Sequence, residues 1–320
     1  MGRLTKQMLI IILAVLLAAG NISCKAAKTS SQKLTPQKVV IGVCFQGLND
    51  EYIFRLKEAF ESRAKQLGYV FLFSDGQMNA EIQNRQVGNY ISQRVNCIVF
   101  NPISMEYNSP AVQACVKAKI PIIELISTTD NQNLCTSYVG SDSYSSGVIQ
   151  AQMTISDLRG HGNVVILLGQ MGHEAQINRY KGVMATLKNT NIHVIATQTG
   201  NWSRQDGYEI VADWLNAGKQ FDAILSQNDA MAIGAITAIK EDGLTGKIDV
   251  YGVDAQQDAL TMLSNGEMDG TVYQNAQSQG SLSAEVALDV ALGRTVKKKY
   301  LIPYEPVRRD NVSTYQKAVE

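Results

Sequence analysis

Val39-Val40-Ile41-Gly42-Val43 is answered, roughly 125 residues further on, by Val164-Val165-Ile166-Leu167-Leu168. The interval recurs. Tyr69-Val70-Phe71-Leu72-Phe73 pairs with Ile192-His193-Val194-Ile195-Ala196, Cys97-Ile98-Val99-Phe100 with Ala223-Ile224-Leu225, and Ile120-Pro121-Ile122-Ile123 with Val250-Tyr251-Gly252-Val253. Short, continuously apolar runs of this kind read as strands buried on both faces of a parallel sheet. The stretches between them carry helical spacing: Ile53, Leu56, Phe60, Ala64 and Leu67 before Gly68; Tyr208, Val211, Trp214 and Leu215 within 203–218; Ile233, Ile236 and Ile239 within 229–243. The expected fold class is α/β, with two similar doubly wound lobes built on parallel sheets.

Parallel sheets carry their functional loops beyond the carboxyl ends of the strands. Here those positions hold Gln46, Asn49, Asp50 and Tyr52, then Asn101, and in the second half Trp202, Gln227-Asn228-Asp229 and Asp254. Two polar rims of this kind can face each other across a cleft, a common setting for a small-molecule site.

Composition narrows the function. The 320 residues hold 29 Lys+Arg against 29 Asp+Glu, so no net charge draws the chain to nucleic acid, and no nucleic-acid partner is expected. Lys297-Lys298-Lys299 and Arg308-Arg309 are short clusters that suit solvated faces. An apolar fraction of 45% with 18% charged residues describes a chain that folds around substantial cores.

The first 24 residues stand apart. Arg3 and Lys6 precede an apolar run from Met8 to Ala19, followed by Gly20-Asn21-Ile22-Ser23-Cys24. The run is too short to cross a ~30 Å hydrocarbon core and suits an export signal. Ile22-Ser23-Cys24 resembles the end of a bacterial lipobox, so residues 1–24 are expected to be a signal peptide, Cys24 the lipid-attachment site, and 25–37 a tether. Removing the signal leaves 27 basic residues (29 less Arg3 and Lys6) against 29 acidic, close to neutral.

Cys44, Cys97, Cys115 and Cys135 form no CxxC pair, and His161, His173 and His193 no HExxH. Metal is not expected, and Cys44 and Cys97 lie in strand-like runs where a buried free thiol is usual. There is no Gly-x-Gly-x-x-Gly after a strand, no P-loop and no Gly-x-Ser-x-Gly elbow, so neither a cofactor nor catalysis is expected. What the strand ends do suit is a neutral polyhydroxyl ligand. Amides and carboxylates exchange paired hydrogen bonds with adjacent hydroxyls, and a Trp or Tyr face covers the C–H side of a ring. Gln46, Asp50, Asn228, Asp254 and Gln274 supply the first kind, Tyr52 and Trp202 the second. Asn228 or Asp229 equally suits the cap of the helix that starts there, and Trp202 a core position.

These residues resemble the periplasmic sugar-binding proteins of the ribose and galactose type, the substrate-capturing components of ABC importers, over residues 38–315. Tyr138-Val139-Gly140-Ser141-Asp142, Leu225 through Ala235, and Val250-Tyr251-Gly252-Val253-Asp254 carry the likeness. Ala175 through Arg179, Gln198 through Trp202, and Ile302 through Val307 with Asp310-Asn311-Val312 are similar to members that bind cyclic polyols such as myo-inositol. The resemblance implies a type I periplasmic-binding-protein fold with a three-strand hinge. Its crossings fall near Ser141-Asp142, Tyr273-Gln274 and Pro303-Tyr304, giving lobes 38–141 with 275–303 and 142–274 with 304–320. It implies that Asn228 and Asp254 grip hydroxyls, that Tyr52 and Trp202 sandwich the ring, and that Gln274 touches the ligand. Ribose binders carry Asp-Arg where this chain has Ile126-Ser127, and Ile177 replaces a second arginine, leaving Arg179 nearby. Asn101, with Ser127 or Glu124 in compensation, completes the expected first-lobe contacts. The implied partners are a sugar or polyol, an ABC permease with its ATPase, and the membrane through the lipid anchor, with the protein itself a monomer in the cell envelope. A ligand-presenting component of a sensory receptor is the alternative output.

Overall fold

The computed structural model describes residues 35–319; the expected signal peptide, Cys24 and most of the tether lie outside them. Strand β1 (Val40–Phe45) leads into α1 (Glu51–Leu67), which Asp50 caps by accepting the Ile53 N–H at 3.0 Å and which ends at Gly68, φ +74°. The alternation continues through β2 (Val70–Asp75), α2 (Ala80–Ser92), β3 (Cys97–Phe100), α3 (Ser109–Ala118), β4 (Ile122–Leu125) and β5 (Ser137–Gly140). A second series follows: α4 (Ser143–Asp157), β6 (His161–Leu168), α5 (Glu174–Leu187), β7 (Asn191–Thr199), α6 (Arg204–Asn216), β8 (Ala223–Ser226), α7 (Asp229–Glu241), β9 (Asp249–Tyr251) and α8 (Gln257–Asn265). The chain closes with β10 (Thr271–Tyr273), α9 (Ala276–Ala291), β11 (Lys299–Leu301), β12 (Glu305–Val307) and α10 (Val312–Val319).

The strands form a six-stranded sheet of order β11-β5-β4-β3-β1-β2 and a four-stranded sheet of order β7-β6-β8-β9. Every pairing within these sheets is parallel, for example Ile41 with Cys97 and Val164 with Ala223. The sheets are unequal because β5 and β11 widen the first, whereas β10 meets the end of the second only through isolated parallel bridges (Tyr251 with Gly270, Asp254 with Tyr273) and pairs antiparallel with β12 as a ribbon. The chain passes between the two sheets after β5, between β10 and α9, and between β11 and β12.

The central strands of each sheet are buried on both faces, which is why they read as unbroken apolar runs, whereas the edge strands β2 and β7 keep half-buried and exposed positions. Ile98, Phe100 and Cys44 meet Val112 and Ile122 under the first sheet; Ile166, Leu225 and Tyr251 meet Val183 and Leu187 under the second. All four cysteines past residue 34 are buried and unpaired, and burial pushes the Cys44 thiol up to about 12. Helices α4 and α5 cross at two glycines: a Cβ on Gly147 would stand 2.1 Å from the Arg179 carbonyl oxygen, and one on Gly182 2.2 Å from that of Tyr144. This close crossing sets the Arg179 backbone against α4.

Candidate functional site

The loops beyond the strand ends of the two sheets meet face to face. Gln46, Asp50, Tyr52, Arg179, Trp202, Asn228, Asp254 and Gln274 line one cavity between them, together with Ser143, His173, Tyr304, Ile53, Ile126 and Ala175. Its enclosed volume is about 40 Å3, against ~10–15 Å3 for one water on the same measure. A second cavity of about 520 Å3 shares Gln46, Asp50 and Trp202 with it. The lobes are closed on each other: His173 Nε2 lies 2.9 Å from Gln46 Oε1, and the Met105 N–H donates to the Gly172 carbonyl at 3.0 Å.

From the first lobe, Gln46 emerges at the end of β1 and Asp50 caps α1 with one carboxylate oxygen. Tyr52, on the first turn of α1, gives its hydroxyl to Gln279 Oε1. Gln279 in turn donates to Ser141 Oγ at 2.7 Å, which donates to the Ile302 carbonyl at 2.6 Å, tying the cavity wall to two of the crossings.

Two expected contacts are not on the cavity. Asn101 is fully buried, where it stitches strand ends: its Oδ1 accepts the Gln46 N–H at 3.2 Å and its Nδ2 donates to the Leu125 carbonyl at 3.3 Å. Ser127 is turned inward because Ile126 adopts a left-handed φ of +54°, placing the Ile126 side chain on the cavity and the Ser127 hydroxyl in the interior.

Glu124, the other expected compensator, is also wholly buried and accepts from the Thr129 N–H at 2.8 Å and Oγ1 at 2.6 Å through Oε1 alone. Burial pushes its carboxyl up from 4.5 to about 7, so the folded protein holds a proton there that the unfolded chain loses above 4.5. The stability this proton supplies is complete below about 4.5 and drains as pH rises through 7. Glu124→Gln, which keeps the neutral form, is expected to gain on the wild type from pH 5 to pH 8 by ~2–4 °C in Tm per kcal/mol recovered, checked by thermal melts across that range.

The second lobe supplies the charged centre. Arg179 is 4% exposed and spends its guanidinium on the Gln227 carbonyl, on Gln274 Oε1 at 2.8 Å and on the Tyr304 hydroxyl at 3.4 Å, while its Nε has no partner among the described residues. Asp254 stands 3.9 Å from it. The Asp254 carboxylate accepts no hydrogen bond from the described residues although it is 7% exposed, and burial pushes its carboxyl well above the usual range, with Arg179 pulling the other way. Its backbone is strained as well: φ is +126° at Asp254 and +56° at Ala255. Strain of this kind, ~1–3 kcal/mol per residue, persists where a site demands a particular side-chain direction.

Trp202 also has a positive φ, +67°, and three contacts fix its ring. Arg179 Cζ lies 5.8 Å from the ring centroid, the His173 ring meets it edge-on at 5.4 Å, and its six-membered edge lies against Gly169. The indole Nε1 is buried without a partner among the described residues. A Cβ at Gly169 would overlap that edge at 2.0 Å. Gly169→Ala is therefore expected to displace the ring and weaken ligand binding about tenfold or more, readable by calorimetry, with the intrinsic tryptophan fluorescence altered.

Asn228 is both a cap and a wall. It accepts the Met231 N–H at 3.0 Å and donates to the Trp202 carbonyl at 3.1 Å, so it positions the aromatic while lining the cavity. Asp229 faces away from the cavity, bonded to Thr271 Oγ1 at 2.7 Å and the Gln256 N–H at 2.8 Å. His173, which caps α5 by accepting the Ala175 N–H at 3.1 Å, was not among the residues expected from sequence. Burial, then Arg179, lowers it to about 3, so it is neutral. Ser143 and Tyr304 were likewise unexpected; Ser143 donates to Glu174 at 2.9 Å.

Two βα lobes joined by three crossings and closed over a polar cavity at their strand ends are the type I periplasmic-binding-protein fold. Residues 41–295 match the family model described as a periplasmic binding protein domain, and the chain belongs to that family. It is 32% identical to a putative rhizopine-binding protein of Rhizobium meliloti, over 86% of this chain and 92% of that one. It is 30% identical to a xylitol-binding protein of Mycolicibacterium smegmatis, over 92% and 83%. Among solved structures, an ABC transporter solute-binding protein from Bacillus halodurans with bound myo-inositol superposes with a TM-score of 0.86 at 35% identity, covering 88% of this chain and 99% of that chain.

Proposed function

We propose that the protein is a lipid-anchored substrate-binding component of an ABC importer, capturing a sugar or cyclic polyol, neutral and ring-sized, in the cleft between its lobes for delivery to a membrane permease. The observation that carries this reading is the set of unsatisfied groups around one small cavity. Among the described residues the Asp254 carboxylate accepts no hydrogen bond and the Gln46 Nε2 group donates none, and both residues line the cavity. A hydroxyl both donates and accepts, so a ring bearing several of them answers both, while Tyr52 and Trp202 offer aromatic surface for its C–H faces. The likeness to a protein holding myo-inositol supports the same class of ligand.

Capture works by population shift. Ligand touching both lobes binds the closed form more tightly than the open one, and closes it in proportion to that difference. The permease then meets the closed surface. Neutrality outside the site costs nothing here, since local hydrogen bonds rather than long-range steering select the ligand.

A thermal-shift panel of pentoses, hexoses, myo-inositol and linear polyols tests the ligand class: stabilisation by one or more of these is expected, and stabilisation only by an amino acid or an inorganic anion contradicts it. For the anchor, Cys24→Ser is expected to move the protein from the membrane fraction to the soluble one; unchanged fractionation contradicts acylation.

A further inference from the structure

We propose that His173 is a positioning residue that fixes the Gln46 side-chain amide, making Gln46 a hydrogen-bond donor to the ligand and doing so only when the lobes are closed; the inference rests on the ligand class proposed above. Each link in the chain has one possible polarity. The Ala175 N–H donates to His173 Nδ1 at 3.1 Å, so the neutral ring carries its proton on Nε2. That proton points to Gln46 Oε1, 2.9 Å away. Asn101 Nδ2, whose own orientation is set by the Gln46 N–H on its Oδ1 and the Leu125 carbonyl on its Nδ2, approaches the same Oε1 at 3.4 Å. The amide oxygen of Gln46 is thus committed to two donors. Its Nε2 has no protein partner among the described residues, and Gln46 lines the cavity. The ligand atom facing it must accept.

The link also reports closure. Gln46 belongs to the first lobe and His173 to the second, and the neighbouring Gly172 carbonyl is held across the cleft by the Met105 N–H. In an open form Gln46 keeps only the Asn101 contact, and its amide is free to present either end. Recognition of a hydroxyl oxygen at this point is therefore completed by closure rather than preceding it.

Two near-isosteres separate this role from simple helix capping. Asn at position 173 keeps an oxygen where Nδ1 stands and so keeps the cap, but does not reach Gln46; Gln places an N–H where Nε2 stands and keeps the reach. Calorimetry on the purified full chain with myo-inositol is expected to show His173→Asn about tenfold weaker and His173→Gln within about threefold of wild type. In a Gln46→Ala background, His173→Asn is expected to cost nothing further. Equal losses in the two variants, the reverse ranking, or additive losses overturn the proposal. A long-range 1H–15N correlation of His173 in the ligand-free protein is expected to show the Nε2-protonated tautomer; an Nδ1-protonated ring overturns the proposal whatever the ligand. A wild type that binds no polyol in the panel, with that tautomer present, instead overturns the ligand class.

Discussion

Asp254→Ala is expected to abolish ligand capture. Hydrogen bonds to a charged group are each worth ~1.5–3 kcal/mol, and a carboxylate facing adjacent hydroxyls makes two of them, so the loss is about 100-fold or greater in Kd. The unliganded protein is expected to lose less melting temperature than with Arg179→Met, because only the 3.9 Å charge contact with Arg179 is removed and no hydrogen bond. Asp254 receives no hydrogen bond from the described residues, so the substitution removes a buried carboxylate without orphaning a donor that it had satisfied. Loss of binding out of proportion to the loss of stability is the signature of a group held in place for a ligand. Calorimetry and thermal melts on the same variant read both halves, and retained binding would move the ligand away from this strand end.

Arg179→Met is expected to fail in the opposite way. The guanidinium satisfies the Gln227 carbonyl, Gln274 Oε1 and the Tyr304 hydroxyl, stacks on Trp202 and balances Asp254. Removing it leaves those acceptors unpaired in the interior and Asp254 without a counter-charge. Breaking a buried pair from one side costs ~3–5 kcal/mol, which lowers Tm by roughly 6 °C or more in a chain of this size. Ligand affinity falls as well, because Gln274 and Trp202 lose the group that orients them. A variant with wild-type Tm and weakened binding would make Arg179 a ligand contact and little else.

The repeated apolar runs foretold the parallel sheets because a strand covered on both faces must be apolar throughout. They did not foretell the inequality of the sheets. Ser137–Gly140 and Lys299–Leu301 carry too few apolar residues to announce themselves, and they owe their place to pairing with each other and with β4. The same division runs through the site. Asp50, Tyr52, Trp202, Asn228, Asp254 and Gln274 lie just beyond strands, where chain position alone places them on the cavity. Asn101 and Ser127 lie there too, yet the side chain of one is consumed by backbone groups and the other is rotated away by a positive φ at Ile126, which neither hydropathy nor spacing reports. His173 was legible only as the residue between Gly172 and the start of α5, a cap position that an imidazole rarely fills. Its second bond, to the opposite lobe, exists only in three dimensions.

The most direct measurement is a crystal structure of the protein with the polyol that stabilises it most. The account predicts a single ring seated in the cavity, with a hydroxyl within ~2.5–3.0 Å of Asp254 and ring faces against Tyr52 and Trp202. A ligand seated in the open groove beside Arg55 and Gln277, or in the cavity without contact to Asp254, would contradict it.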